Sequence, residues 1–127
     1  MNAKDKSRQE YMARINRVID YIEKNLNEVI TLEKIAQIAC FSPFHFHRIF
    51  STLTNETLNS FVQRLRIEKA ARQLSNDKTV SISEIADKCG FGSVAHFSRT
   101  FRKYFGLTAK EFRETEKAIF FHRRFLL

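Results

Sequence analysis

Apolar residues recur at three- and four-residue intervals along almost the whole chain, and no convincing period-two alternation appears. Ile15, Val18, Ile19, Ile22 and Leu26 form one face of a first helix, predicted from about Gln9 to Leu26. Thr31 is placed to cap a second helix ending near Ala39, buried through Leu32, Ile35 and Ile38. Ser42 followed by Pro43 reads as an N-cap with proline in the first turn. It opens a third helix to about Leu53, with Phe46, Ile49, Phe50 and Leu53 facing inward. A long fourth helix is predicted over Leu58 to Leu74, burying Leu58, Phe61, Leu65 and Leu74. Asn76, Asp77 and Lys78 break the pattern. It restarts with a Ser81/Glu84 capping box, a fifth helix buried through Ile82 and Ile85, and a turn at Gly90-Phe91-Gly92. Ser93 caps a sixth helix closed by Gly106, and Thr108 with Glu111 caps a short seventh containing Phe112. The fold class expected is all-α, with about seven helices.

The restart is an internal repeat. Thr31, Ile35, Ala36 and Phe41 match Ser81, Ile85, Ala86 and Phe91 at an offset of 50. His45, Arg48, Phe50 and Thr57 match His96, Arg99, Phe101 and Thr108 at an offset of 51. The one-residue slip falls in the turn, where insertions are tolerated. Each copy is a short helix, a tight turn and a second short helix, which is the pattern of a helix-turn-helix. Ala36 and Ala86 are the small residues such a crossing needs, and Phe41 and Phe91 plug the joint. Phe46, Ile49 and Phe50 bury one side of the third helix while His47, Arg48 and Ser51 look out. Phe97 and Phe101 do the same for the sixth, with His96, Arg99, Arg102 and Lys103 outward. A single copy is a weak signal, since any αα-hairpin imitates it; two in register are much stronger.

Charge sharpens this picture. The 127 residues hold 22 Lys+Arg against 14 Asp+Glu, a net charge of +8, the footprint of a polyanion binder. Charge alone leaves a merely basic protein or a membrane-surface partner open. No apolar run approaches the length of a membrane span, and the first ten residues are too polar for a signal peptide. Cys40 and Cys89 read as reduced core residues of a cytosolic protein. Cys40, His45 and His47 lack the spacing and the fourth ligand of a closed zinc site, so no metal or other cofactor is expected. No phosphate-cradling Gly loop and no Cys-His-Asp arrangement appears, which argues against an enzyme.

Residues about 12 to 115 resemble the DNA-binding domain of the AraC/XylS transcription regulators. The resemblance rests on Ile35-Ala36 and on Ser-Pro-Phe-His-Phe-His-Arg-Ile-Phe at 42–50. In the second half it rests on Ile85-Ala86, Cys89-Gly90-Phe91, the run His96 to Arg102, Phe105-Gly106-Leu107-Thr108 and Phe112-Arg113. It implies that the third and sixth helices enter successive major grooves of double-stranded DNA, held apart by the fourth. Base reading would fall on Phe44, His47 and Arg48 in the first copy, and on Ala95, His96 and Arg99 in the second. Phosphate contact is assigned to Ser42, Ser51, Ser93, Arg102, Lys103 and Thr108. Arg64, Arg66, Lys69 and Arg72 are read as a solvated face of the fourth helix. His45, next to buried Phe46, is read as a packing residue.

The boundaries expected are 9–56 and 76–115 for two helix-turn-helix subdomains, 57–75 for the joining helix and 116–127 for an apolar tail. That tail is read as a helix folded back or as a linker to an effector domain, with Arg123-Arg124 a candidate phosphate arm. The expected protein is a cytoplasmic, nucleoid-associated regulator without a membrane partner. Double-stranded DNA is its target, RNA polymerase a candidate partner, and its effector is bound by a domain outside this chain. The competing classes are a helical protein-interaction module and a nonspecific architectural DNA binder. Target sequence and sign of regulation are not encoded legibly.

Overall fold

The computed structural model describes residues 2–114. The expectations for the tail, 116–127, lie outside the described residues. Seven helices follow one another: α1 (Ala3–Lys24), α2 (Leu32–Ala39), α3 (Pro43–Thr54), α4 (Leu58–Asn76), α5 (Ile82–Lys88), α6 (Val94–Phe105) and α7 (Ala109–Glu114). Among the described residues there is no strand. The all-α expectation therefore holds, and α4 is continuous.

Two compact units result, divided between Gln63 and Arg64, inside α4. The division falls within the 57–75 segment expected to join the two subdomains, so the early apolar residues of α4 belong to one unit and the later ones to the other. In the first unit Ile15, Val18, Ile22 and Leu26 of α1, Ile35, Ala36 and Ala39 of α2, Phe46 and Phe50 of α3, and Leu58, Phe61 and Val62 at the start of α4 are all buried. Phe50 stacks on Phe46 at 5.3 Å and meets Phe61 edge-on at 5.3 Å. In the second unit one cluster joins Ile67, Ala70, Ala71 and Leu74 of α4 to Ile85, Ala86, Cys89, Phe91, Phe97, Phe101, Ala109 and Phe112.

Several inward assignments change. Leu53 is 39% exposed, and Ile49 and Leu65 are only half-buried, whereas Val62 is buried. On α3 the buried stripe is narrower than three residues in seven, with only Phe46 and Phe50 fully inside. Cys40 is exposed and is no core residue. It sits at the end of α2, where the chain leaves the helix, with its side chain outside. Cys89 is buried as expected; burial pushes its thiol up, only partly offset by Lys69 and Arg72, and Sγ lies 3.8 Å from Gln73 Oε1. Of the supposed solvated face of α4, Arg72 is exposed but Arg64, Arg66 and Lys69 are half-buried. Arg64 Nη1 is 2.9 Å from Oε1 of Glu68, a buried carboxylate that needs such a partner.

α1 begins six residues before the predicted start at Gln9, capped by Asn2, whose side chain accepts from the Asp5 N–H at 2.9 Å. Residues 2–10 are all exposed, so no hydrophobic periodicity could reveal them.

Candidate nucleic-acid interface

Each unit frames its second helix with the same four backbone devices. Thr31 and Ser81 cap α2 and α5 by accepting from the N–H three residues on, at 3.2 and 3.1 Å. α2 and α5 then end in Schellman motifs. Phe41 N–H donates to Ala36 O and Cys40 N–H to Gln37 O, both at 3.0 Å. Phe91 and Gly90 repeat the pair on Ala86 and Asp87, at 3.0 and 3.1 Å. The left-handed residue is Cys40 (φ 58°) in the first unit and Gly90 (φ 90°) in the second. Ser42 and Ser93 next cap α3 and α6 through the N–H groups of His45 (3.2 Å) and His96 (3.1 Å). The two helices are both twelve residues long. Each closes on a second left-handed residue, Asn55 (φ 62°) or Gly106 (φ 75°), bonded back to Ser51 O at 2.9 Å or Arg102 O at 2.8 Å.

These devices hold α3 and α6 by their Phe faces and leave the opposite faces open. Phe46, Phe50, Phe97 and Phe101 are completely buried. Phe44, His47 and Arg48 are exposed, as are Ala95, His96 and Arg99. Neither helix contains an acidic residue. Among the described residues, no carboxylate pairs with Arg48 or Arg99. The Arg48 guanidinium carbon lies 6.0 Å from the ring centroid of Phe44, itself 72% exposed. An apolar plate and a guanidinium thus stand side by side at the start of α3, a pairing suited to a base edge with a methyl neighbour.

Placement of the other expected residues is uneven. Ser42, Ser93, Arg102 and Lys103 are exposed. Ser51 is half-buried, and its Oγ is inaccessible with no hydrogen-bond partner among the described residues, so it offers nothing to a phosphate. Its repeat counterpart Arg102 stays exposed. Thr108 is half-buried and committed to α7: its Oγ1 accepts from Glu111 N–H at 3.1 Å and its own N–H reaches Glu111 Oε1 at 3.4 Å. His96 sits edge-on to Phe91 at 5.5 Å, as His45 does to Phe41 at 4.9 Å. The register partner of His47 is therefore Ser98, also exposed, a residue absent from the expected set although the offset of 51 points to it. Tyr11 and Arg14 of α1 were likewise missed; they lie against the joint of the first unit.

A family model described as a helix-turn-helix domain matches residues 35–115. A Chromobacterium violaceum transcriptional regulator with an AraC-type DNA-binding domain superposes with a TM-score of 0.75 at 27% identity, over 80% of this chain and 90% of that one. The chain belongs to the AraC-type helix-turn-helix family of transcription regulators. This AraC-type domain is also similar to the DNA-binding domain of AdpA, solved in complex with a target DNA: TM-score 0.77, 27% identity, 83% of this chain and 94% of that one. Among curated proteins it is 37% identical over 102 residues to the Proteus vulgaris protein named "Probable transcription factor PqrA", covering 79% of this chain and 83% of PqrA. It spans about half or less of several longer relatives it matches. Among the described residues no helix is long and apolar enough to cross a membrane.

Proposed function

We propose that this AraC-type domain binds double-stranded DNA sequence-specifically and regulates transcription, each unit presenting one helix, α3 or α6, to a major groove. One observation carries the reading. At the same register of two equally framed helices stands an exposed arginine with no carboxylate partner among the described residues, on a helix free of acid. Arginine forks onto guanine O6 and N7, and the fixed helix beneath it sets the base it meets. In the first unit Phe44, His47 and Arg48 form the reading face; in the second, Ala95, Ser98 and Arg99. His96 joins His45 as a ring supporting the joint. Ser42, Ser93, Arg102 and Lys103 flank these faces and take phosphates, the serines through their helix N-termini. The relation to AdpA, whose domain was solved on DNA, supports the same reading.

The chain acts in this reading as a binder, with no catalytic role, in the cytoplasm. RNA polymerase is its candidate protein partner, and an effector would be held outside residues 2–114. Site selection from a random duplex pool tests it, on wild type, Arg48→Ala and Arg99→Ala. Each loss should cost about 1–3 kcal/mol and flatten preference at particular positions, in a different half of the site for each variant. The two affected segments should lie about one helical turn, roughly 10 bp, apart. An even weakening with a salt slope smaller by about one would instead mean that the arginine clamps phosphate. Both losses in one half, or unchanged affinity in either variant, would overturn the arrangement.

A further inference from the structure

We infer that Arg14, on α1, is a positioning residue for the reading face of α3: it locks the α2–α3 joint of the first unit from outside the helix-turn-helix pair. The inference rests on the base reading proposed for α3. The two joints are built alike but not equally well. Gly90 takes the left-handed turn of the second unit without a Cβ, while Cys40 takes that of the first with one, a conformation L side chains disfavour. Phe91 is buried and packs on Phe97 at 5.2 Å. Phe41 is only half-buried.

What the first joint lacks internally, α1 supplies. Tyr11 meets the Phe41 ring edge-on at 5.3 Å and lies 6.0 Å from His45, in the first turn of α3. The Arg14 guanidinium carbon sits 4.9 Å from the Phe41 centroid. Its Nη1 donates to the Cys40 carbonyl at 3.3 Å, and its Nη2 is held by Glu10 Oε1 at 2.7 Å. One planar fork thus covers the plug of the joint, ties the strained residue's carbonyl and is itself anchored one turn back on α1. A lysine would offer a point charge, without the plane or the rigid fork that sets two donors apart. Among the described residues no cation lies over Phe91, so this lock belongs to the first unit alone. Ser42, the cap of α3, is two residues beyond Cys40, so rotation about the Cys40 backbone re-aims Phe44, His47 and Arg48 together. Releasing the lock lowers the fraction of molecules with α3 correctly aimed, and apparent affinity falls by that fraction.

Arg14→Gln should weaken binding to the selected full site about tenfold, the scale of one lost charge-assisted hydrogen bond. It should flatten preference only in the half that Arg48→Ala affects. Arg14→Lys should recover part of the loss. Adding Cys40→Gly to Arg14→Gln should recover most of it, because glycine holds the left-handed turn unaided. In the DNA-free protein, amide exchange of Cys40, Phe41 and His45 should quicken in Arg14→Gln, with Gly90, Phe91 and His96 unchanged, and Cys40→Gly should reverse the effect. Unchanged exchange at those three amides, equal acceleration in both units, or loss of preference spread evenly over the site would overturn the lock. A wild-type protein that selects no sequence defeats the base reading instead, and the exchange experiment still decides whether Arg14 holds the joint.

Discussion

Cys40 and Asn55 are the only described non-glycine residues with positive φ, and both lie in the first unit at the places where the second has Gly90 and Gly106. Asparagine tolerates this region through local polar contacts; cysteine has no such help. Cys40→Gly should therefore raise stability by about 0.5–1 kcal/mol, the relief of the Cβ clash less the added freedom of the unfolded chain, read as a higher denaturation midpoint. The converse change, Gly106→Ala, meets open space, so its cost is backbone strain alone: about 1–2 kcal/mol, visible in the same measurement. These residues also mark where the sequence was hard to read. The offsets of 50 and 51 match Cys40 to Gly90 and Asn55 to Gly106, but a left-handed cap is recognisable in sequence chiefly when it is glycine. Cys40 looked like a core thiol because it follows an apolar run, and only the Schellman geometry turns it outward.

At the level of helices, caps were the most readable feature, since a serine or threonine before an apolar periodic run acts locally. Thr31, Ser42, Ser81, Ser93 and Thr108 all cap as anticipated. Among the described residues only Thr108–Glu111 closes a full reciprocal box; Glu84 instead lies 3.1 Å from Lys88 Nζ. Ser93→Ala should cost about 0.5–2 kcal/mol and fray the first turn of α6, measurable by denaturation and by exchange at His96 N–H. The turn after α4 makes a pH prediction. Asp77 Oδ1 accepts from Thr79 Oγ1 at 2.6 Å and from Thr79 N–H at 2.9 Å, and these bonds hold its carboxyl below the usual value. A depressed folded value means that this contribution is complete above the ordinary carboxylate range and disappears as pH falls through the lowered value. The protection of the Thr79 amide, its exchange relative to an unstructured amide at the same pH, should fall on that acid side, and Asp77→Asn should remove the pH dependence. The start of α1 was not readable, because a helix that buries nothing leaves no periodic trace.

Across the molecule, the duplication was legible because two packed cores demand the same apolar spacing twice, and the outward arginines followed from it. The division inside α4 was not, since one helix can serve two cores without any break in its pattern. Phe50 and Phe101 occupy matched, fully buried positions, so truncating either to Ala should cost about 3–5 kcal/mol. Equilibrium unfolding measures this, and a negligible change would contradict the packing described. The net charge of +8 belongs to the whole chain. With about 6–10 phosphates neutralised, affinity should fall roughly 10³–10⁵-fold between 50 and 200 mM salt in a titration; a flat response would contradict docking by both units. The matched framing of α3 and α6 also makes the two helices exchangeable cassettes. Both are twelve residues between a serine cap and a left-handed stop, so their outward residues can be traded without disturbing either core. A chain with Phe44→Ala and His47→Ser carries the reading residues of α6 on α3, and binding-site selection should return the second unit's preferred bases in both halves of its target.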